Sequence, residues 1–253
     1  SGVDLVFTAV PKSNVSAIRS FCADVIVLPL PSDKFSTGSA KRLLKILPKN
    51  PHVAVIGMGM TIERQQALVY LINELKSMRT KLLLDASSLV PGILPHITGA
   101  STIITPHPGE FKRLFQKESS VVDSEATVEG QESNVYKLSR KYGITIILKG
   151  YNTIVCEGDS RGNNHHQKHR RAVIRRTTPA MTVGGCGDVL SGVVASLLTK
   201  MQDTFSASIA GVYLCGIAGS LAYQRVGLHM VATDLIEELP NAMKPFDKIN
   251  SNP

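Results

Sequence analysis

Short apolar runs rich in Val, Ile and Leu alternate along the chain with longer stretches of helical periodicity. The apolar runs are typical of buried strands and lie at residues 3–10, 24–28, 53–56, 81–84, 102–104 and 144–148. Helical patterns separate several of them, at residues 14–22, 61–78 and 128–141. Strands that alternate with helices of this length form βαβ units. The pattern therefore predicts an α/β fold with a central, mostly parallel sheet flanked by helices on both faces.

The pattern changes in the C-terminal third of the chain. Residues 187–243 give three helical patterns and no strand pattern, and the middle helix, at residues 204–224, is rich in Ala, Gly and Ser. Small side chains at close intervals suit tight packing of this helix against the sheet. Because no internal repeat or low-complexity linker interrupts the chain, we expect one domain over residues 1–253.

Glycine and polar residues directly follow four of the predicted strands. In chain order these positions are Gly57 to Gly59, Asp85, Thr105 to Glu110, and Lys149 with Gly150. In open α/β sheets, ligands bind beyond the carboxyl ends of the strands. The regular placement of these residues therefore predicts a ligand site along that edge of the sheet.

The stretch Gly184-Gly185-Cys186-Gly187-Asp188 carries the strongest chemical signal, and it opens the first predicted helix of the C-terminal third. Glycines let backbone N–H groups converge on one point, and the positive end of a helix dipole reinforces that point as an anion site. A capped helix start needs only one or two such residues. We therefore interpret the stretch as an anion hole for a transferring phosphoryl group, with Asp188 placed to accept a proton from a hydroxyl group.

Part of the net charge of +8 is concentrated in one basic segment, residues 161–176. Its basic residues are Arg161, Lys168, Arg170, Arg171, Arg175 and Arg176, with His165, His166 and His169 among them. Phe, Tyr and Trp are missing from the segment, so it lacks the stacking platform of proteins that bind single-stranded nucleic acid. We interpret it as a solvated loop or hairpin, with a phosphate-facing role as the alternative.

Composition narrows the class of protein further. Trp is absent and aromatic residues make up 5%, so we expect an aliphatic core of the kind found in parallel sheets. We find no apolar run near the roughly 18 to 20 residues that span a bilayer, and no basic-then-apolar leader. We therefore expect a soluble, cytoplasmic protein without a membrane partner. The four cysteines form no CxxC pair, which indicates free thiols rather than a metal site or a disulfide framework.

Four stretches resemble, in order, the ADP/ATP-dependent NAD(P)H-hydrate dehydratases, a family of the ribokinase-like superfamily. Gly57 to Gly59 resembles the family's Gly-Pro-Gly turn, and Thr105 to Glu110 matches its TPHPGE motif. Leu148 to Thr153 is similar to its LKGxxT element, and Gly184 to Gly192 is similar to its GGTGDVLSG element. Residues 231–236 resemble its terminal A-[ST]-D-L-[IL] run. The resemblance covers nearly the whole chain and implies a ribokinase-like fold.

The resemblance also implies an enzyme, a hydro-lyase that works by kinase-like phosphoryl transfer. Asp188 would be the catalytic base. The anion hole would be formed by Gly184, Gly185, Cys186 and Gly187. Contacts to the adenine nucleotide would come from Lys149, Gly150, Tyr151, Asn152, Thr153 and Gly187. Contacts to the substrate, a hydrated nicotinamide dinucleotide (NAD(P)HX), would come from Gly57, Gly59, His107 and Asp188.

ADP or ATP would be the co-substrate, with Mg²⁺ to neutralise the charge of its phosphates. Glu110 is a candidate metal ligand; alternatively it caps the following helix or pairs with Lys112 or Arg113. His107 would, without the family context, be a loop histidine between two prolines. We also expect a homo-oligomer.

Three features depart from the family pattern. The family's Asp-Ala-[AD] after the fourth strand appears as Asp85-Ala86-Ser87-Ser88. The family begins earlier, with a Gly-rich strand–turn–helix unit that also touches the substrate. The chain opens at Ser1 with residues that resemble the strand after that unit, so we expect either that the beginning is missing from this sequence or that the substrate site is incomplete. Before the glycine turn, residues 178–183 differ from the family's Asn-Pro-Gly-Met-Ala-Thr, and Val183 and Cys186 replace two threonines. Because backbone amides can still bind phosphate, these departures bear on the substrate rather than on the class of reaction.

Two other functions stay open from the sequence. A small-molecule kinase acting on a sugar or a vitamin-precursor alcohol would use Asp188 and the anion hole in the same way, although the TPHPGE motif favours the dehydratase. A nucleic-acid-binding protein would use the basic segment instead, and its binding would depend steeply on salt.

Overall fold

The computed structural model describes residues 2–99, 101–118, 127–158, 170–175, 178–201 and 203–247. Most of the basic segment lies outside these ranges. The sequence predicts a frayed tail after Phe246, and residues 248–253 of that tail also lie outside the described residues.

Within the described ranges the strands are Phe7–Pro11 (β1), Ile26–Leu30 (β2), Val53–Ile56 (β3), Lys81–Leu84 (β4), Thr102–Ile104 (β5), Thr145–Leu148 (β6), Asn152–Cys156 (β7) and Arg171–Arg175 (β8). β3 to β8 form one six-stranded sheet in chain order. Its β3, β4, β5 and β6 are parallel, whereas β7 and β8 are antiparallel to their neighbours. β1 and β2 pair with each other in a separate parallel sheet, a division that the apolar runs do not indicate.

The α-helices of the same ranges are Val15–Phe21 (α1), Thr37–Ile46 (α2), Gln65–Ser77 (α3), Leu94–Ile97 (α4), Pro108–Leu114 (α5), Val128–Tyr142 (α6), Cys186–Lys200 (α7), Thr204–Val226 (α8) and Ala232–Met243 (α9). Short 3₁₀ turns lie at Lys12–Asn14, Ala86–Ser88, Pro91–Ile93, Gln116–Glu118, Pro179–Thr182, Gly227–His229 and Lys244–Phe246. Side-chain oxygens of Ser36, Thr127 and Asp203 cap α2, α6 and α8 by accepting backbone N–H groups of the first turn.

Alternate residues of the central strands enter two separate hydrophobic clusters. Leu82, Leu84 and Ile104 belong to the first cluster, whereas Leu83 and Ile103 belong to the second. Successive side chains of a strand point to opposite faces of the sheet, so the sheet is buried on both faces. The first cluster includes α3 to α6, and the second includes α7 to α9. The predicted α/β arrangement, with a helical C-terminal third, is confirmed.

The helix α8 is more apolar than the sequence analysis allowed. The stretch Thr204–His229 could cross a membrane by length and composition alone, so the expectation that no run approaches that length is wrong. Half of its apolar window is buried inside the protein. Small residues such as Ala207, Gly211 and Ala218 are among the buried positions, as close packing against α7 and the sheet requires. Core packing therefore accounts for the apolar character.

The strand β8 decides between the two forms predicted for the basic segment, a solvated loop and a hairpin. Residues 171–175 pair antiparallel with β7, so the described part of the segment is one strand of a hairpin. Ala172 and Ile174 are half-buried on one face of β8, while Arg171 and Arg175 are exposed. Arg171 forms an ion pair with Glu132 on α6 at 3.2 Å. The period-two alternation of a strand was present in the sequence, but the dense positive charge obscured it.

Candidate active site

The carboxyl ends of four parallel strands meet at one edge of the sheet. Because β3, β4, β5 and β6 are consecutive neighbours, the residues that follow them (Gly57, Asp85, Thr105 and Lys149) lie side by side. α7 packs over β3 and β4, which brings Asp188 to the same edge. The structure thus brings together the glycine turn and the residues that follow the strands.

The turn before α7 has a backbone that only glycine adopts without strain. Gly185, the N-cap residue, has φ +88°, and a Cβ at this position would lie 2.8 Å from the Cβ of Ala232. Since no side chain caps α7, its dipole and the N–H groups of Gly187 and Asp188 are left for an anion. The N–H of Cys186 instead donates a hydrogen bond to the carbonyl of Val183 at 3.4 Å, which corrects the place of this residue in the predicted anion hole. The side chain of Cys186 is buried in the second hydrophobic cluster, so this residue serves the turn through its backbone.

Asp188 lies in the first turn of α7, on the open side of the site where the residue is exposed. Partial desolvation by the surrounding walls nevertheless raises the pKa of its carboxyl group. The nearby Asp85 carboxylate raises that pKa further, whereas the Lys149 ammonium lowers it. A carboxylate with a raised pKa is a stronger base, and proton transfer to it is correspondingly easier.

Lys149 places a positive charge beside the start of α7. Its Nζ donates a hydrogen bond to Oδ1 of Asp85 at 2.8 Å and lies 3.9 Å from Oε2 of Glu110. A Cβ at Gly187 would lie 3.2 Å from this Nζ. The glycine therefore lets the ammonium group approach the helix start closely. A cation and uncapped helix amides at one point can bind and polarise a phosphoryl group.

His107 and Glu110 form a reciprocal capping box at the start of α5. The Nδ1 atom of His107 accepts hydrogen bonds from the N–H groups of Gly109 at 3.0 Å and Glu110 at 3.4 Å. Glu110 Oε2 in turn accepts the N–H of His107 at 2.9 Å. The capping role weighed for Glu110 from the sequence is thus the one seen in the structure. His107 itself is exposed at the rim of the site.

The loop after β3 depends on Gly57. Gly57 has φ +120°, and a Cβ there would lie 1.8 Å from the backbone oxygen of Asp85. Ser87 donates one hydrogen bond to the carbonyl of Gly57 at 2.7 Å and another to that of Met60 at 2.8 Å. Gly59, the second glycine of the predicted substrate turn, has φ +62° and is exposed. The loops after β3 and β4 are therefore held together by these hydrogen bonds and by the close contact at Gly57.

The predicted nucleotide segment, residues 149–153, turns from β6 into β7. Thr153 is buried and donates a hydrogen bond to the carbonyl of Gly150 at 3.1 Å, which holds the turn. Asn152 begins β7 and is half-buried. Tyr151 is exposed, and its hydroxyl accepts a hydrogen bond from Nε of Arg175 at 2.9 Å. Of this segment, only Lys149 contacts the charged cluster of Asp85, Glu110 and Asp188. Residues 150–153 follow it in the turn and in β7.

Sequence reasoning missed the residues that connect this cluster. Ser191 Oγ donates a hydrogen bond to Oδ2 of Asp85 at 2.8 Å and lies 3.3 Å from Oγ1 of Thr105. All three side chains are buried. Ser191 falls inside the stretch that resembles the family's GGTGDVLSG element, and Asp85 follows a predicted strand. The sequence therefore contains both residues within its motifs and predicted strand ends, but their hydrogen bonds are visible only in the structure.

Comparison with known proteins identifies the family. A family model described as Carb_kinase, NAD(P)H-hydrate dehydratase, matches residues 1–241 of the chain. The ADP-dependent (S)-NAD(P)H-hydrate dehydratase of Nitrosopumilus maritimus is 40% identical over 249 residues, which make up 98% of this chain and 82% of that protein. The chain belongs to the NAD(P)H-hydrate dehydratase family. The family predicted from the sequence motifs is therefore confirmed.

Other relatives agree with this assignment. The protein of the same description from Cenarchaeum symbiosum is 41% identical over 98% of this chain and 82% of its own length. The bifunctional NAD(P)H-hydrate repair enzyme Nnr of Pyrobaculum aerophilum is 33% identical over 97% of this chain, which spans 46% of that longer protein.

Solved structures show the same fold at lower identity. The Bacillus subtilis ADP/ATP-dependent NAD(P)H-hydrate dehydratase, co-crystallised with ATP and Mg²⁺, has a TM-score of 0.76 at 21% identity, covering 98% of this chain and 81% of its own. The pyridoxal kinase of Staphylococcus aureus has a TM-score of 0.56 at 13% identity, covering 86% and 88%. Since a kinase also has this fold, the family match, and not the fold, separates a dehydratase from a kinase.

Proposed function

We propose that the protein catalyses the ADP- or ATP-dependent dehydration of hydrated NADH or NADPH, which restores the reduced dinucleotide. The relatives from Nitrosopumilus maritimus and Cenarchaeum symbiosum, of about 40% identity, are described as ADP-dependent, which favours ADP as the co-substrate. The observation that carries the proposal is the cluster at the start of α7. It combines a base of raised pKa, Asp188, with the Lys149 ammonium and an uncapped glycine turn.

The reaction begins with proton transfer to Asp188 from the C6 hydroxyl of the hydrated nicotinamide ring. The hydroxyl oxygen then attacks the terminal phosphoryl group of the nucleotide, and the bond from that phosphorus to the bridging oxygen breaks. The N–H groups of Gly184, Gly185 and Gly187 stabilise the negative charge on the transferring oxygens. Lys149 adds its positive charge at the same point.

Elimination completes the reaction. The lone pair of the ring nitrogen moves into the ring and expels phosphate from C6, and loss of a proton from the ring restores the dihydronicotinamide. Phosphorylation has converted hydroxide, a poor leaving group, into a good one. Gly57, Gly59 and His107 are proposed to bind the dinucleotide, and Gly150 to Thr153 the adenine nucleotide, as the family motifs imply.

Mg²⁺ is expected to reach this site with the nucleotide. Among the described residues, no group of three His, Cys, Asp or Glu side chains could hold a metal ion. Asp85 is bound by Lys149, and Glu110 is held in the capping box. Mg²⁺ is commonly bound through substrate phosphates and water with one or two carboxylates at most, and the donor set fits that mode. When bound, the ion would neutralise phosphate charge.

One assay tests the proposal against the kinase alternative. The protein is incubated with Mg²⁺, ADP or ATP, and chemically hydrated NADH, while the NADH absorbance band and inorganic phosphate are followed together. A dehydratase restores NADH and releases phosphate in equal amounts. A kinase acting on a sugar or vitamin-precursor alcohol leaves hydrated NADH untouched and accumulates a stable phosphate ester, and that result would refute the proposal. Light scattering of the same sample tests the proposed homo-oligomer.

A further inference from the structure

The side chain of Asp85 is a buried carboxylate at the centre of the site, only 1% exposed. Its Oδ1 accepts hydrogen bonds from the N–H of Ala86 and from Nζ of Lys149, both at 2.8 Å, and its Oδ2 accepts one from Ser191 at 2.8 Å. A buried charge is tolerated when it is paired and hydrogen-bonded in this way. The same bonds fix the position of each donor.

The partners of Asp85 belong to separate parts of the chain. Lys149 follows β6 and is 64 residues away, and Ser191 on α7 is 106 residues away. Through Ser191 the network reaches Thr105 at the end of β5. The backbone oxygen of Asp85 also packs against Gly57 after β3. One residue thus joins the loops of four strands to the helix that carries the base.

The position of Ser191 on α7 links this network to the base directly. Ser191 and Asp188 are three residues apart, and residues at this spacing lie on the same face of a helix. The hydrogen bond of Ser191 to Asp85 therefore fixes the face on which Asp188 lies. The bond of Lys149 to Asp85 holds the ammonium group next to Gly187, one residue before the base.

We propose that Asp85 is a positioning residue of this reaction, which fixes the distance between the Lys149 ammonium and the first turn of α7. The inference rests on the proposed function for its kinetic test, and it concerns a residue of the Asp-Ala-[AD] motif for which the resemblance implied no role. Asp85 touches neither substrate in this role and acts through Lys149 and Ser191. The charged groups nearest to Asp188 in the cluster are Asp85 and Lys149, with Glu110 beyond Lys149.

Asp85→Asn is the first test, since it keeps the shape and removes the charge. Lys149 then loses its ion pair, so we expect the ADP KM to rise and kcat to fall, each at least tenfold. The Asp85 charge contributes to the raised pKa of Asp188. Its removal lowers that pKa, so the base stays ionised at lower pH. The acidic limb of the kcat–pH profile should therefore move to lower pH. A purely structural role would reduce thermal stability and leave the limb in place.

Ser191→Ala is the second variant, because it keeps the Asp85 charge and removes one hydrogen bond. We expect kcat to fall about three- to tenfold without movement of the acidic limb. Glu118→Gln is the matched control: this carboxylate is paired with Lys141 and Tyr142 on α6, outside the site, and its kinetics should stay within twofold of wild type. If Asp85→Asn does not fold, Ser191→Ala decides, and kinetics within twofold of wild type would overturn the proposal.

A binding measurement separates this proposal from the proposed function. Titration calorimetry of wild type and Asp85→Asn with Mg²⁺–ADP needs no turnover. We expect the variant to bind at least fivefold more weakly, whether or not the wild-type protein restores NADH. Equal affinities, or an unmoved acidic limb in a folded Asp85→Asn enzyme, would overturn the positioning role. Failure of the wild-type enzyme to restore NADH would instead refute only the function.

Discussion

Two neighbouring helices of the C-terminal third carry an aspartate at or near their N-terminus, and the two aspartates make opposite kinds of contacts. At α8, Asp203 accepts hydrogen bonds from the N–H groups of Phe205 at 3.2 Å and Ser206 at 3.0 Å. Arg170 donates two more, at 2.6 and 2.8 Å. Burial raises the pKa of Asp203, but the bonds from Arg170 and Ser206 outweigh this effect and hold the pKa well below its usual range.

At α7 the corresponding donors are left open. The cap residue is Gly185, which has no side chain, and Asp188 lies farther along in the first turn. Desolvation and the charge of Asp85 raise the pKa of Asp188. An aspartate that caps its helix is a weak base with its hydrogen-bonding capacity filled. An aspartate beside an uncapped turn retains the affinity for a proton and leaves the amides for a ligand. The contrast distinguishes a helix start that is capped for stability from one that fits the catalytic role proposed for Asp188.

The largest expected effect comes from the catalytic helix start. Asp188→Asn keeps the shape of the side chain and removes the base, so kcat should fall by about 10² to 10⁴, while ADP affinity stays within about twofold of wild type. The loss should thus be in the chemical step, as measured by steady-state kinetics and calorimetry. Asp203→Asn serves as the control and should keep kcat within about twofold. An Asp188→Asn enzyme with more than about a tenth of wild-type kcat would exclude Asp188 as the base.

Gly187→Ala should separate activity from stability at the same helix start. Alanine in a helix is more favourable than glycine by about 0.5–1 kcal/mol, so Tm should stay the same or rise. The new Cβ would lie 3.2 Å from Nζ of Lys149, and the ammonium group must move away. We expect the ADP KM to rise about tenfold, which corresponds to about 1.4 kcal/mol. A drop in Tm with unchanged KM would show that Gly187 is required for folding rather than for the approach of Lys149.

The apolar runs located the strands best where both faces are buried. The predicted runs at 53–56, 81–84 and 102–104 coincide with β3, β4 and β5. β1 begins at Phe7 instead of residue 3, and Leu5 and Val6 before it are exposed, at 63% and 44%. An apolar run thus indicates a strand only where a neighbouring element covers it. At β8 the apolar pattern alone does not predict the strand, because a paired strand tolerates arginines on its exposed face.

The sequence predicts the positions of the candidate site but not the hydrogen bonds that join them. The glycine turn, Lys149 and His107 were identified by local motifs, each a few residues long. The partners of Asp85 were not predictable, since the hydrogen bonds join residues 64 and 106 positions apart. Local periodicity carries no information about which polar side chains meet across the sheet. The carboxylate that joins the loops therefore emerged only from the three-dimensional structure.

The structural helix start should affect stability and leave catalysis unchanged. Asp203→Ala removes a helix cap, and we expect the free energy of unfolding at pH 7 to fall by about 1–2 kcal/mol. Since the folded-state pKa of Asp203 is depressed, its stabilising contribution is present above the unfolded pKa of about 3.9 and is lost as the pH falls through the folded value. The stability gap between wild type and variant, measured by denaturant unfolding, should therefore narrow below about pH 4. A difference in the free energy of unfolding that does not change with pH would show that the ionised Asp203 carboxylate does not stabilise the start of α8.

The smallest effect is expected at the basic segment, whose Arg170 holds the structural start of α8. Replacing residues 161–169 with a short Gly/Ser turn keeps β7, β8 and Arg170, so Tm should be preserved. If these residues are a solvated part of the hairpin, kcat and the ADP KM should each change by less than about twofold, well inside the tenfold that about 1.4 kcal/mol represents.

Arg170→Ala is the contrasting variant. It breaks the ion pairs with Glu157 and Asp203, and it should lower Tm without changing the ADP KM. A KM that rises fivefold or more in the shortened enzyme would instead show that residues 161–169 reach the nucleotide phosphates. In that case the basic segment would contribute to nucleotide binding near the start of α7, and not only to the stability of the start of α8.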